Sequence, residues 1–587
     1  MPKLTDNGRV FMYFCVIMLI HKFKKNTMKR IQFTIIALFL IFTSTTFAQG
    51  EASNWYFGNN VGLHFDIATG TTTPIPGSAL STNEGSASIS DPNGNLLFYT
   101  DGSTVWNRNN AVMPNGTGLN GDNSSTQSGI IVPNPNDANI YYVFTVDEPN
   151  HNDSASQING LNYTVVNMSL DGGNGAVDTS QKNIPLITYD TSNTQESKFK
   201  CSEKITAVKS GDCNSFWVVT HFVDNFYSFN VSAAGVNTTA VVTNITPSVP
   251  TAGYRYNAIG CMKISPDGSK LAIAHHSRGS NSSLAHGQPG ELVVYDFDDN
   301  TGIVSNAISL ANGPSPYGVE FSLNSKRVYA TVENIAPGPS WVSSELLFFN
   351  LEAANIPASM VSLLGPDTIN TVAGSLQLGP DGNIYRSMRG TSFLSTISNA
   401  DSLAPTYTLN TIALNGTATF GLPPFIQSLF VQPVDIIQNG TSTTNVAICD
   451  GDSYTLTTDA IVGATYTWTF NGTPITTTAP LNEFIATNAG TYHVDIDLNN
   501  GDCPFYGEAI ITLIPLPTIN PITPLEACFN PANGLGTFTL SDADTDAING
   551  QTNVIVSYHD NLTEAQTGIN PLPNIYNHVG GTIFVHL

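Results

Sequence analysis

The sequence predicts an all-β protein in which a β-propeller is followed by small β-sandwich modules. Three observations lead to this prediction. Only 11% of the 587 residues are charged, while Gly, Asn, Thr, Ser and Pro are abundant, which is typical of many short strands joined by polar turns. A hairpin with a recurring turn repeats through residues 55–430. Beyond residue 430 this repeat stops and strands with a different pattern begin.

Length and charge limit the classes of function. A chain of 587 residues is expected to hold three or more domains. The first 48 residues carry seven of the 21 lysines and arginines but one acid, so the remainder has 14 basic and 44 acidic residues, a net charge of −30. Such a polyanion is repelled by phosphate backbones and anionic lipid. Binding to nucleic acid or to a membrane surface is therefore not expected.

The N-terminus has the pattern of an export signal. Lys29 and Arg30 precede an apolar run over residues 31–42, and small residues then predict cleavage between Ala48 and Gln49. Residues 1–48 are thus a leader, with Met28 as the predicted true start; an extended signal or N-terminal anchor is the alternative. No later stretch is long and apolar enough to span a bilayer. We expect a secreted or cell-surface protein, on the exterior of an outer membrane, that contacts an export machinery.

The repeated hairpin has a turn of the type Ser-Pro-Asp-Gly between two apolar strands. In the clearest copy, residues 261–273, Pro266 sets the first corner, Asp267 bonds back to the backbone and Gly268 takes the positive φ. Further copies cover residues 88–99, 130–144, 205–219, 319–330 and 375–385. The last four turns recur about every 56 residues, with further strands between them, which is the spacing of propeller blades.

The number of blades follows from the hairpins and from the two ends of the region. Six hairpins alone would suggest six blades. Residues 54–58 and 63–66 form strands without a repeat turn, and residues 420–426 look like another half repeat. A closing blade built from both ends would leave no open sheet edge. The sequence therefore predicts a seven-bladed propeller over residues 54–430, with six blades as the alternative.

These hairpins resemble the seven-bladed propellers known as YVTN or lactonase-like. Residues 54–58, 130–146 and 420–423 look like surface proteins exported by type IX secretion in gliding bacteria. The resemblance covers most of residues 54–430, and its motifs are structural. The resemblance therefore implies the fold and an extracellular location more than an activity, since some lactonase-like propellers are enzymes and others are binding platforms.

Two modules are predicted after the propeller. Residues 433–517 resemble immunoglobulin-like and PKD-like sandwiches, with Trp468 in the core between the sheets. Residues 518–587 look like a second small β module, which is expected to be incomplete. Cys449 and Cys503 bracket the first module, and we predict a disulfide between them in an oxidising compartment. The pairing of the other cysteines of the exported chain stays open. They are Cys201, Cys213, Cys261 and Cys528, with a Cys201–Cys213 bridge and buried free thiols as equal alternatives.

No motif in the sequence indicates a catalytic or metal site. There is no HExxH, CxxC, GxSxG or Walker-type loop. The neighbours His275 and His276 point to opposite faces of a strand, so they are not expected to share an ion. Asp542, Asp544 and Asp546 begin like an EF-hand loop, but its Gly and its final Glu are missing. We predict no cofactor, with a calcium site elsewhere as the alternative.

The mouth of the propeller is the predicted ligand site. This is where a propeller normally binds ligands, and four polar residues near strand entrances are the candidates: His221, Arg255, His275 and Glu320. The sequence leaves an enzyme possible and favours a non-enzymatic binding or adhesion protein. In that hypothesis the propeller recognises an extracellular glycan or surface protein, and the sandwich modules are spacers. The alternative is a secreted lyase or hydrolase acting on carbohydrate, and a purely structural adhesin is a third possibility.

Overall fold

The computed structural model describes residues 9–14, 49–66, 70–75, 77–149, 158–279, 289–313, 315–335, 341–368, 372–430, 434–438, 445–499, 504–552 and 554–587. The predicted leader lies mostly outside these ranges, as does Ala48 at the predicted cleavage site. Strands dominate the chain, which is all-β as predicted. Among the described residues, no helix is both long and apolar enough to cross a membrane.

Within the described residues, seven separate antiparallel sheets follow one another between residues 54 and 413. Sheet 1 contains Asn54–Phe57, Val61–Asp66 and Thr71–Pro74, and sheet 2 contains Ala87–Ser90, Leu96–Thr100, Thr104–Asn107 and Val112–Thr117. Sheet 3 contains Gly129–Asn134, Asp137–Val146, Leu161–Asn167, Ala176–Val177 and Ile184–Leu186, and sheet 4 contains Ile205–Lys209, Phe216–Phe222, Asn225–Ser232, Gly235–Val236 and Val241–Asn244. Sheet 5 contains Met262–Ile264, Lys270–His275, Gly290–Asp298 and Ile303–Gly313; sheet 6 contains Ser315–Phe321, Arg327–Ile335, Trp341–Asn350 and Val361–Asp367; and sheet 7 contains Leu376–Leu378, Ile384–Arg386, Phe393–Ser398 and Thr406–Ala413.

Helices are few and short. The α-helices of the described chain are Thr194–Phe199, Tyr254–Asn257, Asp544–Ile548 and Leu562–Thr567. Its 3-10 helices are Gln49–Ala52, Asp171–Gly173, Thr179–Gln181, Pro357–Ser359, Gln427–Phe430 and Leu540–Ala543.

Clusters of buried apolar side chains join each sheet to the next. The ring stacking of Tyr56 on Tyr99 joins sheets 1 and 2, and four further clusters join the pairs from sheet 2 to sheet 6. One large cluster joins sheets 6 and 7 and also joins sheet 7 to sheet 1. In it, the ring of Trp55 lies 4.7 Å from Phe65 and 5.5 Å from Tyr385 of sheet 7. The last sheet therefore packs on the first, and the ring is closed.

The predicted hairpin turn is confirmed in atomic detail. The carboxylate of Asp267 accepts the Ser269 N–H at 3.0 Å and the Ser265 hydroxyl at 2.6 Å. Gly268 takes a φ of +76°, which a side chain would disfavour. The turn between Met262–Ile264 and Lys270–His275 thus binds the Asp267 carboxylate within itself, while the Asp267 N–H donates to the Ser325 hydroxyl of the neighbouring turn at 3.0 Å.

Sheet 1 differs from the predicted closing blade. Its three strands all come from the N-terminal side, and residues 420–426 form no strand. Pro423 and Pro424 lack the N–H groups that a sheet ladder needs, so this segment packs as a buried irregular stretch instead. The C-terminal side adds a single bridge, in which Asn59 and Thr417 exchange backbone hydrogen bonds of 2.9 and 3.3 Å.

The first module after the ring has a five-stranded and a two-stranded sheet around one core. The larger sheet has the order Asn445–Cys449, Phe505–Ile514, Gly490–Asp497, Thr465–Phe470 and Thr473–Ile475, and the smaller one pairs Tyr454–Thr457 with Glu483–Ala486. The edge strand Asn445–Cys449 runs parallel to Phe505–Ile514. Trp468 is buried in the shared core, as predicted, with its ring 5.5 Å from that of Phe484 in the smaller sheet. Cys449, at the end of the edge strand, is an exposed free thiol, whereas the sequence predicts its disulfide with Cys503.

The last module is a six-stranded sheet with two short α-helices and one 3-10 helix. Its strands are Leu525–Asn530, Leu535–Thr539, Ser557–His559, Ile575–His578 and Thr582–His586, and Arg9–Phe14 lies between the first and the last of these. In the apolar run that ends at Tyr558, the strand begins only at Ser557, and residues 554–556 are irregular.

Candidate functional site at one end of the β-propeller

The first strands of neighbouring sheets lie side by side, so together they surround the centre of the ring. In sheets 2 to 7, each first strand has two chemically different ends. The residues before it lie at what we call the entrance end, and the hairpin turn after it lies at the turn end. The first strand of sheet 1 runs the opposite way, since Asn54 at its start donates its amide to Gly94 O in the hairpin turn of sheet 2 at 2.8 Å. A five-residue strand such as Ile205–Lys209 is about 16 Å long, which keeps the two ends apart.

Two glutamates lie at the entrance end, just before the first strands of sheets 2 and 4. The buried carboxylate of Glu203 accepts the backbone N–H of Thr126 at 2.9 Å and the Thr126 hydroxyl at 2.8 Å. Tyr317 of sheet 6 donates its hydroxyl to the second glutamate, Glu84, at 3.1 Å. Residues separated by up to 233 positions in the chain thus meet at one site.

The protonation of both carboxyl groups is altered by burial, and that of Glu84 also by the charge of Glu203. Burial raises the pKa of Glu203 to about 7. Burial also raises the pKa of Glu84 well above its ordinary value, and the charge of Glu203 raises it further. Since two neighbouring carboxylates with little hydration do not both ionise easily, the pair retains proton near neutral pH. It therefore offers a hydrogen-bond donor and an acceptor side by side.

Glu148 and Arg255 lie near each other beside these glutamates, and both side chains are partly exposed. Burial raises the pKa of Glu148 to about 7, and the positive charge of Arg255 acts in the opposite direction. The guanidinium of Arg255 also lies 5.1 Å from the centre of the Tyr256 ring. These residues give the entrance a carboxylate, a guanidinium and an aromatic face that solvent reaches.

The lysine that follows Glu203 is fully buried. The Lys204 ammonium donates to the carbonyl oxygen of Asn257 at 3.2 Å and to that of Ala258. Burial lowers the pKa of Lys204 to about 7, which the nearby Glu203 partly offsets. This lysine holds the segment before sheet 5 against the entrance.

Two of the four residues predicted from the sequence come together. His221 and His275 are fully buried at the ends of the second strands of sheets 4 and 5, with ring centres 5.0 Å apart. Burial lowers the pKa of His221 to about 3 and that of His275 well below its ordinary value, so both are neutral. The third, Arg255, lies near Glu148 as described. The structure leaves the ligand role of all four residues a prediction.

The fourth predicted residue, Glu320, lies at the other end of its strand. Its carboxylate is 3.2 Å from the Lys263 ammonium and accepts the backbone N–H groups of Phe321 at 2.8 Å and Leu378 at 2.9 Å. Gln427, beyond sheet 7, donates its amide to the same carboxylate. This fully buried cluster thus joins the first strands of sheets 5, 6 and 7 to the segment after sheet 7, toward the turn end.

Metal ligation finds no support in the part of the chain that the structure describes. No group of three or more His, Cys, Asp or Glu side chains within it is arranged to hold a metal ion. In the acidic stretch of the last module, Asp544 accepts the Tyr558 hydroxyl at 2.6 Å and Asp546 accepts the Thr523 N–H at 2.8 Å. These carboxylates thus serve local structure.

A cavity of about 640 Å³ lies at the turn end, apart from the glutamates. It is lined by loops of sheets 1, 6 and 7, including Phe65, Leu323 and Asp381. The Asp381 carboxylate accepts the Tyr385 hydroxyl at 2.6 Å, which fixes one wall. The ionisable side chains among its lining residues are those of Asp66, Asp381 and Asp401.

The closed succession of antiparallel sheets defines the class of the molecule: it is a β-propeller protein. Residues 524–587 match the family model of the Flavobacterium inter-domain disulphide bond domain. No curated protein matches the chain.

Several solved structures are similar to this chain. The Dos1 propeller has 11% identity, with 62% of this chain and 86% of that chain covered and a TM-score of 0.35. The β-propeller domain of Cps50 (Swd1) from Myceliophteria thermophila has 10% identity, coverage of 58% and 93%, and a TM-score of 0.32. An endo-arabinase from Bacteroides thetaiotaomicron has 13% identity, coverage of 48% and 92%, and a TM-score of 0.27.

The glutamates of the entrance end were missed by sequence reasoning. Glu84 and Glu203 lie immediately before the first strand of a hairpin copy, and Glu148 lies immediately after a second strand. Those positions are adjacent at one end of every sheet. Aligning the hairpin copies and collecting the charged residues just outside them would have found all three.

Proposed function

We propose that the protein is exported and binds an extracellular glycan or surface protein at the entrance end of a seven-bladed propeller. The observation that carries this proposal is the difference between the two ends of the ring. Toward the turn end, the Glu320 cluster is fully buried and its carboxylate is paired with the Lys263 ammonium. The entrance end combines the Glu84–Glu203 pair with the partly exposed Glu148 and Arg255.

The chemistry of the entrance suits a ligand rich in hydroxyl groups. A protonated carboxyl donates and an ionised one accepts, so the glutamate pair can hold both kinds of hydroxyl contact. The face of Tyr256 and the Arg255 guanidinium add a flat surface against which a sugar ring packs. The net negative charge of the chain after residue 48 argues against polyanionic ligands, because like charges repel.

The remaining parts of the chain fit an extracellular role in this proposal. Residues 1–48 act as leader, and residues 433–517 and 518–587 act as PKD-like or immunoglobulin-like spacers in a protein exported by type IX secretion. Cys528, in the stretch that matches the inter-domain disulphide domain, is exposed and free, as a thiol must be before it pairs. An oxidising, extracellular location would allow the Cys528 thiol to form a disulfide.

The test is an array of glycans and of surface proteins, probed with the exported protein. Glu148→Gln and Arg255→Gln should each weaken binding to the retained ligand at least tenfold. Glu352→Gln is the matched control, because Glu352 is an exposed carboxylate on sheet 6 that pairs with Lys326 and Arg327. Binding that survives both entrance variants, or that Glu352→Gln abolishes, would contradict the proposal.

A second candidate is an enzyme that cleaves carbohydrate. It is favoured by the raised pKa of Glu203 beside a second carboxyl, because a general acid needs to keep its proton near neutral pH. Release of reducing ends or of unsaturated products from polysaccharides, lost in Glu203→Gln, would establish this activity. Binding without turnover would leave the first proposal in place.

A further inference from the structure

Two arginines at the entrance end keep hydrogen-bond donors that the described part of the protein does not use. No oxygen atom of the described residues accepts a hydrogen bond from the guanidinium of Arg255 or of Arg389, whose close contacts are with aromatic rings. The other arginines after residue 48 each donate to or pair with an oxygen atom of the protein; they are Arg108, Arg278, Arg327 and Arg386. Unused donors are therefore found where we expect the ligand to bind.

Arg389 lies over an aromatic ring at the surface of this end. It follows the second strand of sheet 7, Ile384–Arg386, which runs antiparallel to the first strand and so ends at the entrance. Its guanidinium carbon is 5.0 Å from the centre of the Phe420 ring; Arg389 is exposed and Phe420 is half-buried. This cation–π contact positions the guanidinium and leaves the N–H groups at its edge free to donate.

Phe420 connects Arg389 to the glutamate pair. The Phe420 N–H donates to Asn83 O at 3.2 Å, and Asn83 immediately precedes Glu84. The Phe420 ring also lies 5.9 Å from the ring of Tyr317, whose hydroxyl donates to Glu84 at 3.1 Å. A continuous row of contacts thus leads from the exposed guanidinium of Arg389 to the carboxyl group of Glu84.

The row continues on the other side of Glu84. After burial, the charge of Glu148 contributes to the raised pKa of Glu84, and the charge of Arg255 acts against the raised pKa of Glu148, so these side chains are neighbours. Arg255 therefore has a carboxylate close by, whereas no carboxylate of the described residues pairs with Arg389. In a chain with 44 acidic and 14 basic residues after residue 48, Arg389 is thus a cation without a counter-charge.

We propose that the entrance end binds a glycan through a sugar that carries a carboxylate, and that Arg389 holds this carboxylate. The inference rests on the proposed function and names the class of glycan, one with a uronic acid unit. A guanidinium presents two parallel N–H groups to a carboxylate, and such charge-assisted hydrogen bonds are about twice as strong as those between neutral groups.

The other groups of the row suit the neutral part of this glycan. The Glu84–Glu203 pair can donate to and accept from sugar hydroxyls, and the Tyr256 ring offers a face for a further sugar ring. One carboxylate matches the one guanidinium that lacks a counter-charge. A polyanion would bring additional negative charges against the acidic surface of the chain.

The test is a pair of oligosaccharides that differ in one group. The first is the glycan with a single uronic acid that the array retains best, and the second is the same compound with its carboxyl group reduced to a primary alcohol. Binding of both to the full-length exported protein is measured by calorimetry. We expect the acid to bind about tenfold more tightly than the alcohol.

Arg389→Gln should remove this preference, because its amide cannot offer the charged pair of donors. Arg108→Gln is the matched control, since Arg108 is an exposed arginine of sheet 2 that donates to Gly173 O at 3.1 Å. It should keep the full preference for the acid.

Three results would overturn the carboxylate site and leave the proposed function in place. They are equal binding of the acid and the alcohol with both weakened by Glu148→Gln, a preference for the acid that survives Arg389→Gln, and a peptide with one glutamate that binds as tightly as the acid. Absence of binding to every carboxylated glycan on the array also overturns the carboxylate site. The proposed function then fails as well only if neutral glycans and surface proteins are not bound either.

Discussion

The buried cluster around Glu320 gives the sharpest prediction about stability. Its carboxylate faces the Lys263 ammonium at 3.2 Å and three further donors, with no access to water. In Glu320→Gln the ammonium loses its counter-charge and one amide N–H must face a donor. Breaking a buried pair in this way costs about 3–5 kcal/mol.

The assay is urea unfolding followed by tryptophan fluorescence in a Trp468→Phe background, in which every remaining tryptophan lies in the propeller. Glu320→Gln should lower the unfolding midpoint strongly, and adding Lys263→Met should restore part of the loss, because the unpaired charge is gone. Glu352→Gln, an exposed carboxylate, serves as the control and should leave the midpoint nearly unchanged. A loss below about 1 kcal/mol in Glu320→Gln, or strictly additive effects of the two substitutions, would refute the reasoning.

Three further predictions concern the pH, the ring closure and the thiols. Because the pKa of Glu203 is raised to about 7 in the folded state, that state binds more protons than the unfolded state above about pH 4.5. The melting temperature should therefore fall as the pH rises from about 4.5 to 7. Glu203→Gln should make this fall less steep, and an unchanged dependence of the melting temperature on pH would contradict the prediction. Trp55→Ala removes the fully buried ring between sheets 1 and 7 and should lower the free energy of unfolding in the same urea assay by about 3–5 kcal/mol. A decrease as small as that caused by a surface substitution would contradict the closure of the ring. In the native protein, iodoacetamide should modify the exposed thiols of Cys449 and Cys528 quickly. It should spare Cys201 and Cys261, because these thiols are buried and burial raises their pKa values. Equal labelling of all four thiols would contradict the described burial.

The repeated turns were predictable because their chemistry is local. The Asp267 carboxylate and the positive φ of Gly268 shape their own turn, so the sequence alone reveals the hairpin. The ring closure was predicted in outline and wrong in detail. Thr71–Pro74, the third strand of sheet 1, is polar and exposed and lacks the apolar alternation that marks a strand. The apolar stretch 420–426 looked like a strand, but its two prolines prevent pairing.

The site was harder to predict because it is made of non-local contacts. An alternating pattern tells which face of a strand a residue occupies and says nothing about which end of the ring it reaches. Glu320 was therefore expected at the mouth and lies in the Lys263 cluster instead. Glu84, Glu148 and Glu203 come from three different sheets, and only the closed ring brings the segments before and after their strands together.

The closed ring is the central claim, and a cross-link between its two ends tests it most directly. Asn59 and Thr417 form a hydrogen-bonded antiparallel pair, for which Cα atoms lie about 5.5 Å apart, a separation that a disulfide spans. Protein carrying Asn59→Cys and Thr417→Cys should form this bond on mild oxidation, as a joined peptide pair in mass spectrometry. The control pairs Asn59→Cys with Ser269→Cys in sheet 5 and should not cross-link. If the Asn59–Thr417 pair stays reduced, or links no better than the control, sheets 1 and 7 do not meet and the closed ring is contradicted.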